Sequence, residues 1–326
     1  MEMESIHELV KIKDLEKSVN KVSNFIKDEV SNRFQKYGAI VGLSGGIDSA
    51  VTAALCARSL GSEKVLGLIM PEKESDSASQ IHAEKVAQKY NIKTKIIDIT
   101  SILDSFGVYQ NKEHIIKEKF PDFNSNCKYR IIVPPKLKNT MGMPFVEILD
   151  DKNKQHKLKI SSSEFLTLTA ATSIKHRVRM TMLYYHGEKN NLCVMGTTNK
   201  SEYLQGYFVK YGDGGSDIEP LVNLYKLQIY QLGEFLKIPK EILIKDASPD
   251  VWSFATTDEE FFYSVPYKIV DLILYARENN LSIKDIQKLS DLSAEDIENL
   301  LRIQNQKQTK SQHMREIPHR WIPDFS

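Results

Sequence analysis

The stretch Lys36-Tyr-Gly-Ala-Ile-Val-Gly-Leu-Ser-Gly-Gly-Ile-Asp-Ser-Ala-Val51 decides the fold of this chain. Its apolar run from Ala39 to Leu43 predicts a buried strand, which ends at the glycine pair that follows Ser44. A helical pattern of apolar residues begins at Asp48, so the stretch predicts a strand, a loop and a helix. Because the glycines carry no Cβ, backbone N–H groups can point into one concavity beside the positive end of the helix. A phosphate group is the ligand expected there.

The loop differs from the two commonest phosphate loops. It lacks the Lys-Ser/Thr ending of a Walker loop, and it lacks the third glycine of a dinucleotide fingerprint. It places Asp48 beside the anion site, which indicates that a divalent cation bridges the carboxylate and the phosphates. The hexapeptide Ser44-Gly-Gly-Ile-Asp-Ser49 resembles the pyrophosphatase loop of N-type ATP pyrophosphatases, which cleave ATP between its α and β phosphates. The alternative is a glycine-rich turn that only begins a helix.

The elements that follow predict a parallel sheet. Apolar runs from Lys64 to Pro71 and from Thr94 to Ile99 indicate two strands, separated by a helical pattern from Asp76 to Tyr90. Strands that alternate with helices connect by right-handed crossovers, which place helices on both faces of a doubly wound sheet. Ligands of such sheets bind beyond the carboxyl ends of the strands. By its position, the loop from Pro71 to Ser75 is therefore expected to contact the adenosine part of ATP.

The composition is that of an ordinary globular protein. Of the 326 residues, 41% are hydrophobic and 27% charged, and 44 basic and 43 acidic side chains give a net charge of +1. This balance argues against a nucleic-acid partner, and no long apolar run or leader pattern indicates a membrane. Cys56, Cys127 and Cys193 lack the spacing of zinc sites or disulfide frameworks. We expect a cytoplasmic protein with reduced thiols.

Two segments of the first half are less regular. Apolar residues recur at helical spacing from Ile6 to Phe34 and predict one or two amphipathic helices, for packing or, alternatively, for partner binding.

From Gly107 to Ser162 the helical pattern is lost. Two short strands there, Tyr129 to Val133 and Phe145 to Leu149, predict a hairpin-bearing insertion or flap. We expect a single domain over residues 1–326 with this insertion at about 107–162.

The second half of the chain predicts one strand and several helices. An apolar run over residues 191–198 indicates the strand, and Ser282 and Ser293 begin two short helices in the tail. Longer helical patterns cover residues 163–185, 225–235 and 267–275.

Polar side chains accompany these elements. Glu202 follows the predicted strand at the same rim as the first loop, where it can share a metal with Asp48. Arg177 and Arg179 fall on different helix faces, so both need not reach one site. The stretch from Gly206 to Leu221 is too glycine-rich for a regular element and too aromatic for a linker, which predicts an ordered loop that closes over a ligand.

Together with the first loop, these segments resemble the ammonia-dependent NAD synthetases. The resemblance covers most of the chain and keeps the family's order of glycine-, aspartate- and tryptophan-bearing blocks. The matching segments are Ser44 to Ser49, Met70-Pro71, Arg177 to Tyr184, Gly196 to Glu202, Gly206 to Leu221, Lys226, Gln228, Thr257 to Glu259 and His313.

The resemblance implies a Rossmann-like α/β fold of the adenine nucleotide alpha hydrolase type, with a helical C-terminal region. It implies a homodimer that uses ATP and Mg²⁺ to adenylate the nicotinate carboxylate of deamido-NAD, after which ammonia displaces AMP and forms the amide. The catalytic residues implied are Asp48, Lys210 and Asp213, and the metal ligands are Asp48 and Glu202. The implied ATP-binding residues are Ser44, Gly45, Gly46, Asp48, Ser49, Met70, Thr197 and Lys226. The implied substrate-binding residues are Ser173, Arg177, Lys210, Asp217 and His313.

Four features depart from the family pattern. Ser173 stands where the family usually has Asn, Met314 replaces a Lys, and Phe261-Phe262 replaces a Leu-Gly pair. The segment from Gly107 to Ser162 is longer than in the family. All four departures lie nearer the acyl substrate than ATP in the family's arrangement. The alternative is therefore an amide ligase with the same adenylation chemistry and a different carboxylate, such as a sugar or nucleotide acid.

Other activities of the wider superfamily fit the sequence less well. Sulfur transfer needs a cysteine that carries a persulfide, and only Cys127 lies in a suitable place, within the insertion. The neutral charge argues against a tRNA partner, and a non-catalytic role leaves Asp48 and Glu202 without purpose. No glutaminase segment is recognised in the chain, so free ammonia or a separate glutaminase is expected to supply nitrogen.

Overall fold

A computed structural model describes residues 6–132 and 144–321 of the chain. Within them the strands are β1 Gly38–Gly42, β2 Val65–Ile69, β3 Lys93–Ile96, β4 Lys128–Ile132, β5 Phe145–Leu149, β6 Gln155–Lys159 and β7 Leu192–Met195. The helices of the first half are α1 Ile6–Val10, α2 Leu15–Asp28, α3 Ile47–Leu60, α4 Ser77–Lys89, α5 Thr100–Ser105 and α6 Val108–Lys119. Those of the second half are α7 Ser162–Asn190, α8 Lys200–Gln205, α9 Lys226–Phe235, α10 Lys240–Leu243, α11 Tyr267–Glu278, α12 Ile283–Lys288, α13 Ala294–Lys310 and α14 Gln312–Arg315.

The central sheet has the strand order β3-β2-β1-β7, and all neighbouring strands are parallel. β1 lies inside the sheet, where Ala39 pairs with Val65 of β2 on one side and with Cys193 of β7 on the other. Its residues are buried on both faces, as a continuous apolar run predicts. The predicted strand, loop and helix of the first stretch are confirmed as β1, the glycine loop and α3.

Helices cover both faces of the sheet. On one face Val41 belongs to a core that includes residues of α2, α3 and α9, and on the other Ile40 packs with residues of α5 and α7. Val19 and Ile26 of α2 are fully buried in the first of these cores. This contact favours packing rather than partner binding for the N-terminal amphipathic segment. The doubly wound α/β fold predicted from the sequence is confirmed.

The insertion contains a helix that the sequence pattern did not predict. α6 occupies residues expected to lack helical order, so that expectation is wrong. The inward-facing positions of α6 are Val108, Tyr109, Ile115 and Ile116, with Lys112 between them at 2% exposure. A lysine at the central core position interrupts the apolar period, which explains why the helix was missed.

The rest of the insertion is a three-stranded antiparallel sheet with the order β4-β5-β6, rather than a single hairpin. The third strand was missed because β6 alternates between exposed and partly buried positions and carries mostly polar side chains. One face of this sheet forms a separate core with Val251 and Trp252. The predicted turn residues Pro134, Pro135 and Gly142, with Val133 at the end of the first predicted strand, lie outside the described residues.

The C-terminal region is helical, as expected. α11 and α13 share a core with the aromatic residues Tyr263 and Tyr267. The side chains of Ser282 and Ser293 accept hydrogen bonds from backbone N–H groups three residues later, so both predicted helix starts are confirmed. No helix in the described part of the chain combines the length and apolar character that crossing a bilayer requires.

Candidate active site

A cavity of about 1230 Å³ opens at the carboxyl ends of the central strands. The segments that follow β1, β2 and β7 line one side of it. The rest is lined by α7, α13, the loop over residues 245–252 and the π-helical turn Glu259–Tyr263 with its flanking residues. This is where a doubly wound sheet binds its ligands. Residues that follow the three strands in the cavity include Gly46 to Ser49, Met70 to Glu72 and Gly196 to Thr198.

The glycine loop is shaped by its contact with α4. Gly45 has φ +79°, and a Cβ built there would lie 2.2 Å from the carbonyl oxygen of Ser79. A side chain is therefore excluded both by the left-handed backbone and by the approach of α4. The Ser49 hydroxyl donates to the Gly46 carbonyl oxygen at 3.0 Å and lies 3.1 Å from the Ser44 hydroxyl, which closes the loop around the start of α3.

Asp48 and Glu202 share one buried ammonium group. Lys226 Nζ lies 2.6 Å from Asp48 Oδ2 and 3.4 Å from Glu202 Oε1. Asn199 fixes both acids, because its side-chain amide donates to Asp48 Oδ1 at 2.9 Å while its backbone N–H donates to Glu202 Oε2 at 3.2 Å. The sequence placed both acids at one rim of the sheet, and the structure brings them together.

The ionisation of Asp48, Glu202 and Lys226 bears on whether the site can bind a cation. Burial raises the pKa of Glu202 to about 8, and the Asp48 carboxylate adds to the shift while Lys226 opposes it. Burial alone would lower the pKa of Lys226, but Asp48 and Glu202 outweigh it and the pKa lies above its usual range. No cluster of three or more metal-ligating side chains occurs among residues 6–132 and 144–321. Two carboxylates suit Mg²⁺, which normally completes its shell with substrate phosphates and water.

The cavity also contains the residues that were predicted to bind the carboxylate substrate or to act in the ammonia step. Arg177 Nε donates to the Lys210 carbonyl oxygen at 3.2 Å, and Lys210 Nζ donates to the His313 carbonyl oxygen at 2.7 Å. Asp213 Oδ1 accepts from the Val209 backbone N–H at 2.8 Å. This bond holds a tight turn in the segment from Gly206 to Leu221, which we call the glycine-rich loop. Ser173, Arg177, Lys210, Asp213 and His313 all line the cavity.

Comparison with known proteins agrees with this arrangement. The family model described as NAD synthase matches residues 18–141 and 136–318 of this chain. The chain belongs to the NAD synthase family. The NH(3)-dependent NAD(+) synthetase of Rhizobium meliloti (strain 1021) is 38% identical over 259 residues, which cover 79% of this chain and 78% of that protein.

Two solved structures extend the likeness to the fold. An NH3-dependent NAD synthetase from Campylobacter jejuni, in complex with the nitrate ion, is 27% identical with a TM-score of 0.62, and the match covers 95% of this chain and all of that one. An NMN synthetase from Francisella tularensis is 25% identical with a TM-score of 0.66, and the match covers 96% of this chain and all of that one.

Not every residue expected from the NAD synthase resemblance lies in the cavity. Asp217 does not line it, because its carboxylate accepts from the Tyr184 hydroxyl at 3.0 Å and from the Val194 backbone N–H at 2.8 Å. These bonds fix the end of β7 to α7, and the substrate-binding role expected of Asp217 stays a prediction. Gly45 also lies outside the lining, where its missing Cβ lets α4 approach the loop, and its expected part in ATP binding stays a prediction.

The remaining expected residues line the cavity. Ser44, Gly46, Ser49, Met70 and Thr197 are among them, together with the Asp48, Glu202 and Lys226 group. Arg179 also reaches it, since it donates from Nε to the Met70 carbonyl oxygen at 3.2 Å. Both arginines of α7 therefore face the cavity, although they lie two residues apart.

A buried charge cluster beside the cavity was not foreseen. Lys175 Nζ lies 2.5 Å from Glu72 Oε1 and 2.7 Å from Glu74 Oε2, and it donates to the Val251 carbonyl oxygen at 3.0 Å. Lys112 also pairs with Glu74 at 2.5 Å. The available signal was spacing, because Lys175 occupies the inward stripe that α7 otherwise fills with Leu168, Ala171 and Val178.

Asp258 is a second residue to which sequence reasoning gave no role, although it lies in the Thr257 to Glu259 segment that matches the family. Its carboxylate accepts from the hydroxyls of Tyr207 and Tyr267, both at 2.8 Å, and it lines the cavity. Burial raises the pKa of Asp258, although Lys226 and the two tyrosine hydrogen bonds oppose the shift. Its position depends on packing between α11 and the glycine-rich loop, which no local pattern encodes.

Proposed function

We infer that this NAD synthase family member is an ATP-dependent ligase that forms a C–N bond. It transfers AMP from ATP to the nicotinate carboxylate of deamido-NAD, and ammonia then displaces AMP to give NAD, with AMP and pyrophosphate as the other products. The observation that carries this inference is the Asp48–Lys226–Glu202 group beside the glycine loop at the strand ends.

The chemistry explains why such a site is needed. A carboxylate is a poor electrophile, and AMP transfer converts its oxide-like leaving group into a phosphate. Negative charge builds on the departing pyrophosphate, and fixed positive groups that face it lower the barrier. The glycine-loop N–H groups and Lys226 supply such charge, and Mg²⁺ held by Asp48 and Glu202 supplies more when bound.

We propose roles for the remaining cavity residues on the same basis. Ser44, Gly46, Ser49, Met70 and Thr197 bind ATP, while Ser173, Arg177 and His313 bind the acceptor. Lys210 and Asp213 are proposed as catalytic residues on the ammonia side. The loop that carries them is tied to the C-terminal segment through Lys210, which favours exclusion of water during the ammonia step.

Assembly and location are proposals too. The family resemblance supports a homodimer, with a mass of about twice 37.3 kDa in solution. The chain is proposed to act as one domain, with free ammonia or a separate glutaminase as its nitrogen source. All three cysteines are free and buried, which supports a reducing compartment such as the cytoplasm.

The test measures pyrophosphate release from Mg-ATP with ammonium and one acceptor at a time. The acceptors are deamido-NAD, nicotinate mononucleotide and a panel of sugar acids, and the mononucleotide is included because one structural neighbour is an NMN synthetase. Fastest turnover is expected with deamido-NAD. Turnover with another acid and none with deamido-NAD would replace the acceptor and keep the ligase chemistry.

A further inference from the structure

Helix α13 places a half-buried ammonium group without a carboxylate partner in the cavity wall. Lys307 of α13 lines the cavity, and its Nζ donates to the Phe262 carbonyl oxygen at 2.6 Å. It also lies 3.8 Å from the centre of the Phe262 ring and 5.5 Å from that of Tyr263. Among the described residues, this ammonium group has the Phe262 carbonyl oxygen as its hydrogen-bond partner, and no carboxylate contributes to its pKa.

This environment differs from those of the buried lysines Lys175 and Lys226. Each of those two lies within hydrogen-bonding distance of a carboxylate, whereas the half-buried Lys307 has one neutral carbonyl and two aromatic faces. Partial loss of water around a cation without a counter-charge costs free energy, and cation–π contacts offset only part of that cost. An anion that enters the cavity would complete its surroundings.

The rings of Tyr263 and Tyr267 lie between the Lys307 ammonium group and Lys226, which marks the proposed site of the ATP phosphates. Lys226 Nζ lies 5.0 Å from the Tyr267 ring centre, and the Tyr267 and Tyr263 ring centres are 4.8 Å apart. Tyr263 in turn faces Lys307. An anion held by Lys307 is therefore distinct from the ATP phosphates beside Lys226. It is also distinct from the reacting carboxylate, which must reach the α-phosphate of ATP.

We propose that Lys307 is a specificity-determining residue that binds a phosphate group of the acceptor nucleotide. The proposal rests on the function inferred above, since deamido-NAD carries two such groups away from its reacting carboxylate. Phe262 supplies the carbonyl oxygen and the ring that contact the lysine. The flat faces of Phe262 and Tyr207, which stack 4.4 Å apart, complete this part of the wall.

The first experiment measures equilibrium dissociation constants of the folded protein for deamido-NAD and for ATP by calorimetric titration. Lys307→Met keeps the side-chain length and removes the charge, so we expect deamido-NAD to bind at least about tenfold more weakly. The affinity for ATP should stay within about twofold, because Lys226 and the glycine loop are unchanged. Lys307→Arg should recover most of the deamido-NAD affinity. Lys284→Met removes an exposed lysine from α12 and serves as the matched control.

The second experiment varies pH. Burial lowers the pKa of Lys307 to about 8, so its charge is present below that pH and lost above it. The titratable side chain in ring contact with Lys307 is Tyr263, and burial raises the pKa of Tyr263 well above its ordinary range. Wild-type affinity for deamido-NAD should therefore fall as pH rises from 7 to 9, and that of Lys307→Arg should stay nearly constant because arginine remains charged.

The outcomes separate the two inferences. Deamido-NAD affinity within twofold of wild type in Lys307→Met, or an equal loss of ATP affinity, would overturn the phosphate role of Lys307. Neither result would affect the proposed reaction, which the pyrophosphate assay tests on the wild-type protein. If the wild-type protein does not bind deamido-NAD, the proposed acceptor fails with the proposal.

Discussion

At the scale of single residues, Asp48 connects the most local sequence signal to the chemistry. It was predicted as a metal ligand because it follows two glycines, and that spacing is visible without any knowledge of packing. Its partners were less visible, because Lys226 lies 178 residues further along the chain. Sequence reasoning assigned Lys226 to ATP through the family resemblance, whereas the structure adds the direct ion pair with Asp48.

Replacing Asp48 tests the metal role. Asp48→Asn keeps the shape of the side chain and removes its charge, so pyrophosphate release should fall by about 100-fold or more. The circular dichroism spectrum should remain close to that of the wild type, while the unfolding midpoint should fall because the buried Lys226 loses its shorter ion pair. Asp151→Asn alters an exposed turn residue and should have no effect. A rate within threefold of wild type for Asp48→Asn would contradict the metal role.

Glu219 gives a pH-dependent prediction. One of its carboxylate oxygens accepts from the Ser216 hydroxyl at 3.2 Å, and the other is buried without a partner among the described residues. Burial raises the pKa of Glu219 to about 7, with a further contribution from Asp213. Between about pH 4.5 and 7 the folded protein holds more protons than the unfolded chain, so this residue lowers stability as pH rises.

The measurement compares Glu219→Gln with the wild type in urea unfolding at pH 5 and pH 8. The difference in unfolding free energy, variant minus wild type, should increase by about 2 kcal/mol over this range. Any constant offset from the new amide cancels in that comparison. A difference that does not change with pH would show that Glu219 titrates as an ordinary exposed acid.

At the scale of secondary-structure elements, the spacing of apolar residues predicted the amphipathic helices correctly. It failed to predict a helix that carries a charged side chain at a core position. α3, α4 and α7 were predicted because apolar side chains recur on one face. α6 was not, because Lys112 takes an inward position that only Glu74, from another element, makes tolerable. An ion pair between elements is not encoded in the spacing of either one.

The junction between the glycine loop and α4 yields a matched pair of variants. Gly45→Ala introduces a Cβ at a positive φ and against the Ser79 carbonyl, so we expect a loss of at least about 2 kcal/mol in unfolding free energy. Gly46 has φ −89°, and a Cβ there meets only the Ser44 hydroxyl at 3.4 Å. Gly46→Ala should therefore cost less than about 1 kcal/mol. Equal losses in chemical denaturation would refute this account of the loop.

At the scale of the whole molecule, the Lys175 cluster joins parts that the sequence presents as separate. Glu72 and Glu74 belong to the loop after β2, Lys112 to α6, and Tyr129, which donates to Glu74 at 3.1 Å, to the insertion sheet. The Lys175 bond to Val251 adds the loop that lines the opposite part of the cavity. Buried charges of this kind emerge only when five segments meet, which is why the fold class was predictable and the cluster was not.

Replacing Lys175 should destabilise the segments that meet at this cluster. Lys175→Met leaves two buried carboxylates with only Lys112 as a cation, so we expect a loss of about 3–5 kcal/mol in urea unfolding. Lys117→Met, an exposed pair on α6, should change stability by less than about 0.5 kcal/mol. A loss below 1 kcal/mol for Lys175→Met would mean that the cluster adds little to the fold.

The lining of the cavity, which runs from Gly42 to Met314, has a consequence for synthesis on the ribosome. A nascent chain that has not yet released α9 carries Asp48 without its counter-ion, and one that lacks α13 is missing part of the cavity wall. At translation rates of about 5–20 residues per second, the central sheet can form many seconds before the cavity is complete. Fragments released early would therefore be partly folded and inactive. Chaperones and proteases would have to recognise such fragments by the apolar helix faces that remain exposed.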